Sequence, residues 1–329
     1  MMRPKFAFIV FLFALFSVSR VQAQSESTSI FNFLSLPTSA HGMALGGRNF
    51  SMPDDDASLL FHNPALMSDA SDRAVNLGFM SYMQGCRAGN AALTLAHGER
   101  GTWGFGAQFV SYGTMKETTV EGIETGDFSA LDLALMGGYS YALTEHVAGG
   151  VTGKFIYSHY GEFTSVALAV DLGLNYYDED RGLSLSAVAA NLGGQVKTFA
   201  DHREHLPVDV RVGLTKELEG APFRFSVSMV DLTRWGSDDY YSTEGELSKG
   251  RIFTNHFILG ADVLLSRQLT ASVGYNLRRA YELTAAGAAH GAGLSCGVNL
   301  LLKRFKVGVA YAKYHVSIPS YMITAQYTL

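Results

Sequence analysis

Outside its first two dozen residues the chain lacks any run of about 20 apolar residues, the minimum for a membrane-crossing helix. Yet 47% of its 329 residues are hydrophobic and only 17% are charged, too little charge for an ordinary water-soluble surface. Helical membrane topology is disfavoured, and a typical soluble globule fits poorly. A net charge of −5 gives no electrostatic footprint for nucleic acid. There are only two cysteines, Cys86 and Cys296, far apart and without metal-like spacing. They are read either as isolated small side chains or as a single bridge.

The N-terminus has the three parts of a secretory leader: Arg3 and Lys5, an apolar run from Phe6 to Val18, and Val21-Gln22-Ala23 as a small-residue cleavage site. Residues 1–23 are therefore expected to be removed, leaving a mature chain from Gln24 and no cysteine at its new terminus for a lipid anchor. The expected organisation is then a plug over residues 24–73 and a barrel over 74–329.

Phe31 to Met67 does not alternate as the rest does. Pro37-Thr38-Ser39 before Ala40–Leu45, closed by Gly46-Gly47, predicts a short capped helix. Asp54 is expected to cap a second, running through Leu60. Asn63-Pro64-Ala65 reads as an N-cap with proline at the first helical position, where its missing N–H costs nothing. Helices this short are unstable alone, so the segment must be packed inside something.

From Ala74 onward the period is two. Val208, Val210, Val212 and Leu214 alternate with Asp209, Arg211, Gly213 and Thr215, and Val166 to Tyr176 does the same. This is strand, not helix. One face is nearly all Val, Leu, Phe and Tyr, while the other is small, hydroxylated or glycine with few charges. An apolar exterior in lipid around a filled or narrow lumen suits that pattern. Tyr82, Tyr112, Tyr139, Tyr141, Tyr157, Tyr160, Tyr176 and Tyr177 fall near strand ends and fit interfacial girdles or ordinary sheet aromatics.

Fourteen segments result, at about Ala74–Met83, Asn90–His97, Thr102–Tyr112, Phe128–Leu143, Val147–Tyr160, Thr164–Asp178, Leu183–Leu192, Val208–Leu218, Phe223–Leu232, His256–Leu265, Leu269–Leu277, Gly293–Leu302, Phe305–Tyr314 and Tyr321–Leu329. All even-to-odd connections are short. The long ones, Gly113–Asp127, Gly193–Pro207, Thr233–Asn255 and Arg278–Ala292, share one parity. This predicts an all-β, fourteen-stranded antiparallel transmembrane barrel with a lumenal plug of short helices. Its termini should be periplasmic and its long loops outside, with Tyr321, Ile323, Ala325, Tyr327 and Leu329 facing outward on the last strand.

A plug ending in Asn63-Pro64-Ala65 before fourteen strands resembles the long-chain fatty-acid transporter superfamily of outer-membrane barrels. Phe33-Leu34-Ser35-Leu36-Pro37-Thr38-Ser39-Ala40, Ala44-Leu45-Gly46-Gly47, Asp54-Asp55-Asp56 and Asn63-Pro64-Ala65-Leu66 are most similar to its PorV- and PorQ-type branch in Bacteroidetes. His41 and Met43 depart from that pattern, standing where small residues or arginine are usual. The resemblance implies a non-catalytic outer-membrane component of type IX secretion that holds a PorZ-like soluble surface protein. The alternative it carries is a hatch-gated transporter of long-chain fatty acids or other hydrophobic small molecules. An open diffusion pore is disfavoured by the plug.

No catalytic constellation is visible, and no cofactor is implied. His202 and His205 with Asp201 and Glu204 lie in a polar loop that reads as surface rather than metal site. Asp54, Asp55 and Asp56 are read as a helix cap whose neighbours pair with lumenal cations such as Arg211 or Arg224, with calcium as the other reading. Trp235, Asp238, Asp239, Tyr240 and Tyr241 combine aromatics and charge in one loop, as a partner-binding surface or a solvated loop would. Gly104, Gly106 and Gly113 mark either a wall kink or close approach of the plug.

Overall fold

The structure is a computed structural model that describes residues 29–83, 85–119, 122–200, 203–242, 245–288 and 290–329. Residues 1–23, expected to be a secretory leader, and the pair Asp201 and His202 lie outside the described residues. The strands are β1 Ala74–Met83, β2 Cys86–His97, β3 Gly101–Thr118, β4 Glu124–Ala142, β5 Val147–Tyr160, β6 Phe163–Asp178 and β7 Leu183–Lys197. They continue as β8 Asp209–Glu217, β9 Phe223–Met229, β10 Phe257–Leu264, β11 Leu269–Asn276, β12 Leu294–Leu302, β13 Phe305–Ala312 and β14 Ser320–Thr328. Each pairs antiparallel with its sequence neighbours, and β1 closes on β14 from Ala74↔Thr328 to Ser81↔Tyr321. Closure leaves no open edge, which is what a sheet needs where no water can satisfy its backbone.

Burial is inverted relative to a soluble barrel. Leu77, Phe79, Phe105, Leu168, Leu172 and Ile323 are each about half exposed on the outside, whereas Asn76, Gln108, Thr152, Asp171, Asn175 and Asp262 are buried inside. A belt of exposed aliphatic and aromatic side chains around the wall is stable only against lipid. Aromatic groups mark its edges: Trp103 lies 4.6 Å from Tyr139 near one rim, and Tyr311 lies 5.6 Å from Tyr321 near the other. Four of the expected girdle tyrosines face inward instead, Tyr177 among them, opposite the buried Ser184. Tyr112 and Tyr160 donate to the buried Asp132 carboxylate at 2.6 and 2.8 Å, and Tyr82 packs on Tyr314. A buried carboxylate needs donors, and those phenols supply them.

The predicted strand order is correct, and the differences lie in the loops. Gly113–Asp127 is largely a ribbon that continues β3 and β4 past a bulge to Thr118↔Glu124. Both its faces are polar, so backbone pairing extends the ladder where no hydrophobic alternation signals it. Two helices also stand where loops were expected, α2 (Lys249–Asn255) and α3 (Leu277–Ala285), following α1 (Ala40–Ala44) in the plug. Ser248 and Asn276 cap them. α2 and α3 lie toward the rim with the longer connections, here the loop end; the opposite rim is the turn end, and α1 runs between them, with Ala40 against Gly308 and Ala44 against Gly297.

Inside, the plug has a helical turn at Asn32–Ser35, then α1, then 3-10 turns at Ala57–Phe61 and Pro64–Asp69. Ser39 caps α1 through Gly42 N–H at 3.0 Å, and Gly46 and Gly47 end it at φ near 99° and 98°. Asn63 caps the last turn through Ala65 N–H at 3.0 Å with Pro64 behind it, as its sequence predicts. The second cap is Asp56, bonded to Ser58 N–H at 2.8 Å, rather than Asp54. Asp54 is occupied elsewhere.

Candidate functional site: the plug seam and the mouth above it

The seam between plug and wall is where the inward-facing chemistry collects. Toward the turn end, each residue of the aspartate triplet has a separate partner. Asp54 meets Lys306 Nζ at 2.6 Å and His41 Nδ1 at 3.0 Å. Asp55 accepts from Ser71 N–H and Oγ at 2.7 and 2.8 Å, and Asp56 also accepts from Asn76 at 3.0 Å. The other ring nitrogen of His41 lies 3.0 Å from Asp262 of β10, which Arg224 pairs at 2.9 Å. Neither Arg211 nor Arg224 is within ion-pair distance of the triplet. Arg211 pairs with Asp209 at 3.8 Å and donates to His62 O, and Arg224 is drawn off by Asp262.

These contacts set protonation states within the plug. Burial by itself would lower His41, but Asp262 and Asp54 on its two nitrogens outweigh it and raise the group to about 9. Burial would raise Asp54, but Lys306 and His41 hold it well below the usual carboxylate range. His62 goes the other way: burial, with Arg211, Lys154 and Arg48 nearby, pushes it down to about 3, so it stays neutral. His41 is thus an imidazolium bridge between plug and wall.

Mid-lumen, close approach replaces charge. Asn63 donates to Phe50 O at 2.9 Å and Ser186 Oγ at 3.1 Å while capping its own turn. The backbone of Pro64-Ala65 lies against Gly150, where a Cβ would meet it. Gly104 and Gly106 likewise face Met67, Leu60 and Phe61, and the ladder passes through both without a register shift. The irregularities in β3 lie farther along, between Ser111 and Thr114, around Gly113 at φ 76°, and between Glu117 and Thr118.

Toward the loop end Arg48 bonds Asp231 at 3.0 Å and lies 3.6 Å from Asp209. Arg278 of α3 shares Asp231 at 2.9 Å and pairs with Glu282 at 2.9 Å. Gly46 O accepts from Arg279 Nη2 at 3.1 Å and from Asn276 Nδ2 at 3.3 Å. Above this lies a cavity of about 870 Å³ lined by plug, loop and α3, with Arg48, Arg234, Arg278, Arg279, Tyr82 and Tyr314 among its walls.

Asp238, Asp239, Tyr240 and Tyr241 line this cavity together, so four of the five loop residues singled out in the sequence converge. Tyr240 is not an exposed anchor, however. It is 7% exposed, donates to Arg234 O at 2.9 Å and lies beneath Arg278. Trp235 stays outside, bonded to Leu232 O at 2.7 Å and 4.3 Å from His256. Sequence reading marked His41 only as a departure from the plug pattern, and it missed Arg48, Asp231, Asp262, Arg278, Arg279 and Lys306. The available signal was a charge at an inward position of an otherwise apolar or small alternation, as at Asp262 and Lys306. Cys86 and Cys296 are both unpaired.

Fold and seam together define a plugged, fourteen-stranded antiparallel barrel. The toluene transporter TbuX of Ralstonia pickettii superposes with a TM-score of 0.58 at 13% identity, over 90% of this chain and 100% of that one. The Pseudomonas putida toluene transporter TodX gives 0.55 at 13% identity over 92% and 98%. A Pseudomonas aeruginosa FadL homologue gives 0.52 at 11% identity over 88% and 98%. No family model matches the sequence, and no curated protein matches it either. At these identities the likeness is one of fold.

Proposed function

We propose that this chain is an outer-membrane barrel that admits hydrophobic small molecules from outside, past a plug that closes its lumen. The observation that carries the reading is end-to-end: the shared fold runs through about nine tenths of this chain and nearly all of the toluene transporters. The mouth cavity supports it by opening directly over the plug. Its tyrosine rings, Leu36, Leu283 and Val230 offer apolar surface beside guanidinium groups. In this reading the loop end faces the medium, both termini are periplasmic, residues 1–23 are removed, residues 24–73 are the hatch and residues 74–329 the wall. Gly113, at the bulge in β3, remains the candidate for a wall kink, with Gly104 and Gly106 below it against the plug.

A second reading is favoured by the motif set of the plug and by the convergence of Asp238, Asp239, Tyr240 and Tyr241. In it the chain is a PorQ-like docking component of type IX secretion, and its loops grip a PorZ-like surface protein. One experiment separates the two. The tagged barrel is extracted from its native membrane in detergent, and co-purified proteins and small molecules are identified by mass spectrometry. Bound hydrophobic small molecules without a stoichiometric protein are expected. A stoichiometric soluble surface protein with no small molecule overturns the transport reading in favour of docking.

A further inference from the structure

The plug is held at both ends, but not in the same way. At the turn end the ties come from the wall: Asp262 in β10 and Lys306 in β13, both in continuous ladders. None of the side-chain polar atoms of His41, Asp54, Asp262 or Lys306 is buried without a partner. At the loop end the Gly46-Gly47 turn is held by residues of a connection. Asn276 is the N-cap of α3 and Arg279 lies in its first turn. Arg278, between them in sequence, reaches Arg48 of the plug through the shared Asp231.

The loop-end hold is also incompletely satisfied. Arg279 stacks on Tyr314 with its guanidinium 3.8 Å from the ring centroid, yet its Nη1 and the Tyr314 hydroxyl are both buried without a hydrogen-bond partner among the described residues. Gly47 packs so closely that an added Cβ would stand 2.5 Å from that hydroxyl and 2.8 Å from Arg279 Nη2. Orphaned buried donors make a closed contact expensive to keep. No residue of α3 is fully buried, and the segment after it has Gly287, Gly291 and Gly293 at positive φ. A helix with few buried contacts is the kind of element that opens locally before the rest.

We propose that α3 is a latch on the plug: its hold on Gly46 through Asn276 and Arg279 releases first, while the ties of His41 and Lys306 at the turn end stay closed. Because Arg278, Arg279, Glu282 and Leu283 also form one side of the mouth cavity, a solute in that cavity touches the latch before it reaches the plug. Only this last consequence rests on the transport reading; the latch does not.

The test is hydrogen exchange by mass spectrometry on the full barrel in detergent micelles, comparing the wild type with Arg279→Lys and with the double variant Asn276→Ala/Arg279→Ala. Only variants that still migrate as folded barrels on unheated gels are compared. The double variant should exchange about tenfold faster over residues 43–50, with residues 54–69 unchanged, and Arg279→Lys should fall between it and the wild type. Unchanged exchange over 43–50 overturns the latch. Equal acceleration over 54–69 also overturns it, because the substitutions would then loosen the whole plug. Should the double variant fail to fold, Arg279→Lys alone carries the test, and an unchanged rate over 43–50 overturns the proposal. Faster exchange without faster entry of toluene into liposomes would leave the latch standing and count against the transport reading.

Discussion

His41 occupies one of the two plug positions that depart from the related pattern, and its surroundings explain what the departure does. With both nitrogens on carboxylates it is a cation in a buried site, and removing it leaves Asp262 with Arg224 and Ser272 alone. Breaking such a bridge costs about 3 kcal/mol. His41→Ala should therefore raise exchange of the α1 amides by roughly two orders of magnitude at pH 7. The pH dependence has a definite sign. The folded-state group titrates at about 9, above its ordinary 6.5, so its stabilisation is complete below about 6.5 and is lost as pH rises through 9. After correction for intrinsic rates, α1 in the wild type should exchange faster at pH 10 than at pH 6. A His41→Ala variant with wild-type exchange at pH 7 would remove this role.

At the scale of elements, the plug turns show which local signals survive packing. Asn63 and Ser39 cap where their sequence predicts, because a side-chain oxygen beside free N–H groups finds them whatever surrounds it. The aspartate triplet did not reveal its own assignment. Three adjacent carboxylates are locally equivalent as caps, and the choice of Asp56 follows from Lys306 and His41 having taken Asp54. Asn63 gives a test in two steps. Asn63→Ser keeps a capping oxygen but loses the amide donors to Phe50 O and Ser186 Oγ, and Asn63→Ala loses all three bonds. Plug stability should fall by about 1–2 kcal/mol for the first and about 2–4 kcal/mol for the second, read from exchange over residues 57–69. Equal losses in the two variants would show that the cap contributes nothing.

For the whole molecule, the plug converts a wide polar lumen into a closed one. The inner wall left behind would be lined by residues such as Asn76, Gln108, Thr152 and Asn175, so a barrel without residues 29–70 should fill with water. In planar bilayers it should show discrete open-channel steps where the intact barrel shows only a quiet baseline. Identical traces would mean that the plug does not seal the lumen.

Much of this was legible in the residues themselves. Strand number, closure and the choice of apolar face follow from period-two alternation, because each strand reports its own two environments locally. The helical plug follows from caps, glycines and proline, which act within a few residues. What tertiary structure decided is which partners meet across the lumen. His41 reaches Asp262 across more than two hundred residues, Arg279 reaches Gly46 across a similar span, and four loop residues join one cavity. Those pairings depend on barrel shear and on the depth at which the plug seats. Both are set by the packing of the whole chain, and no local pattern encodes them.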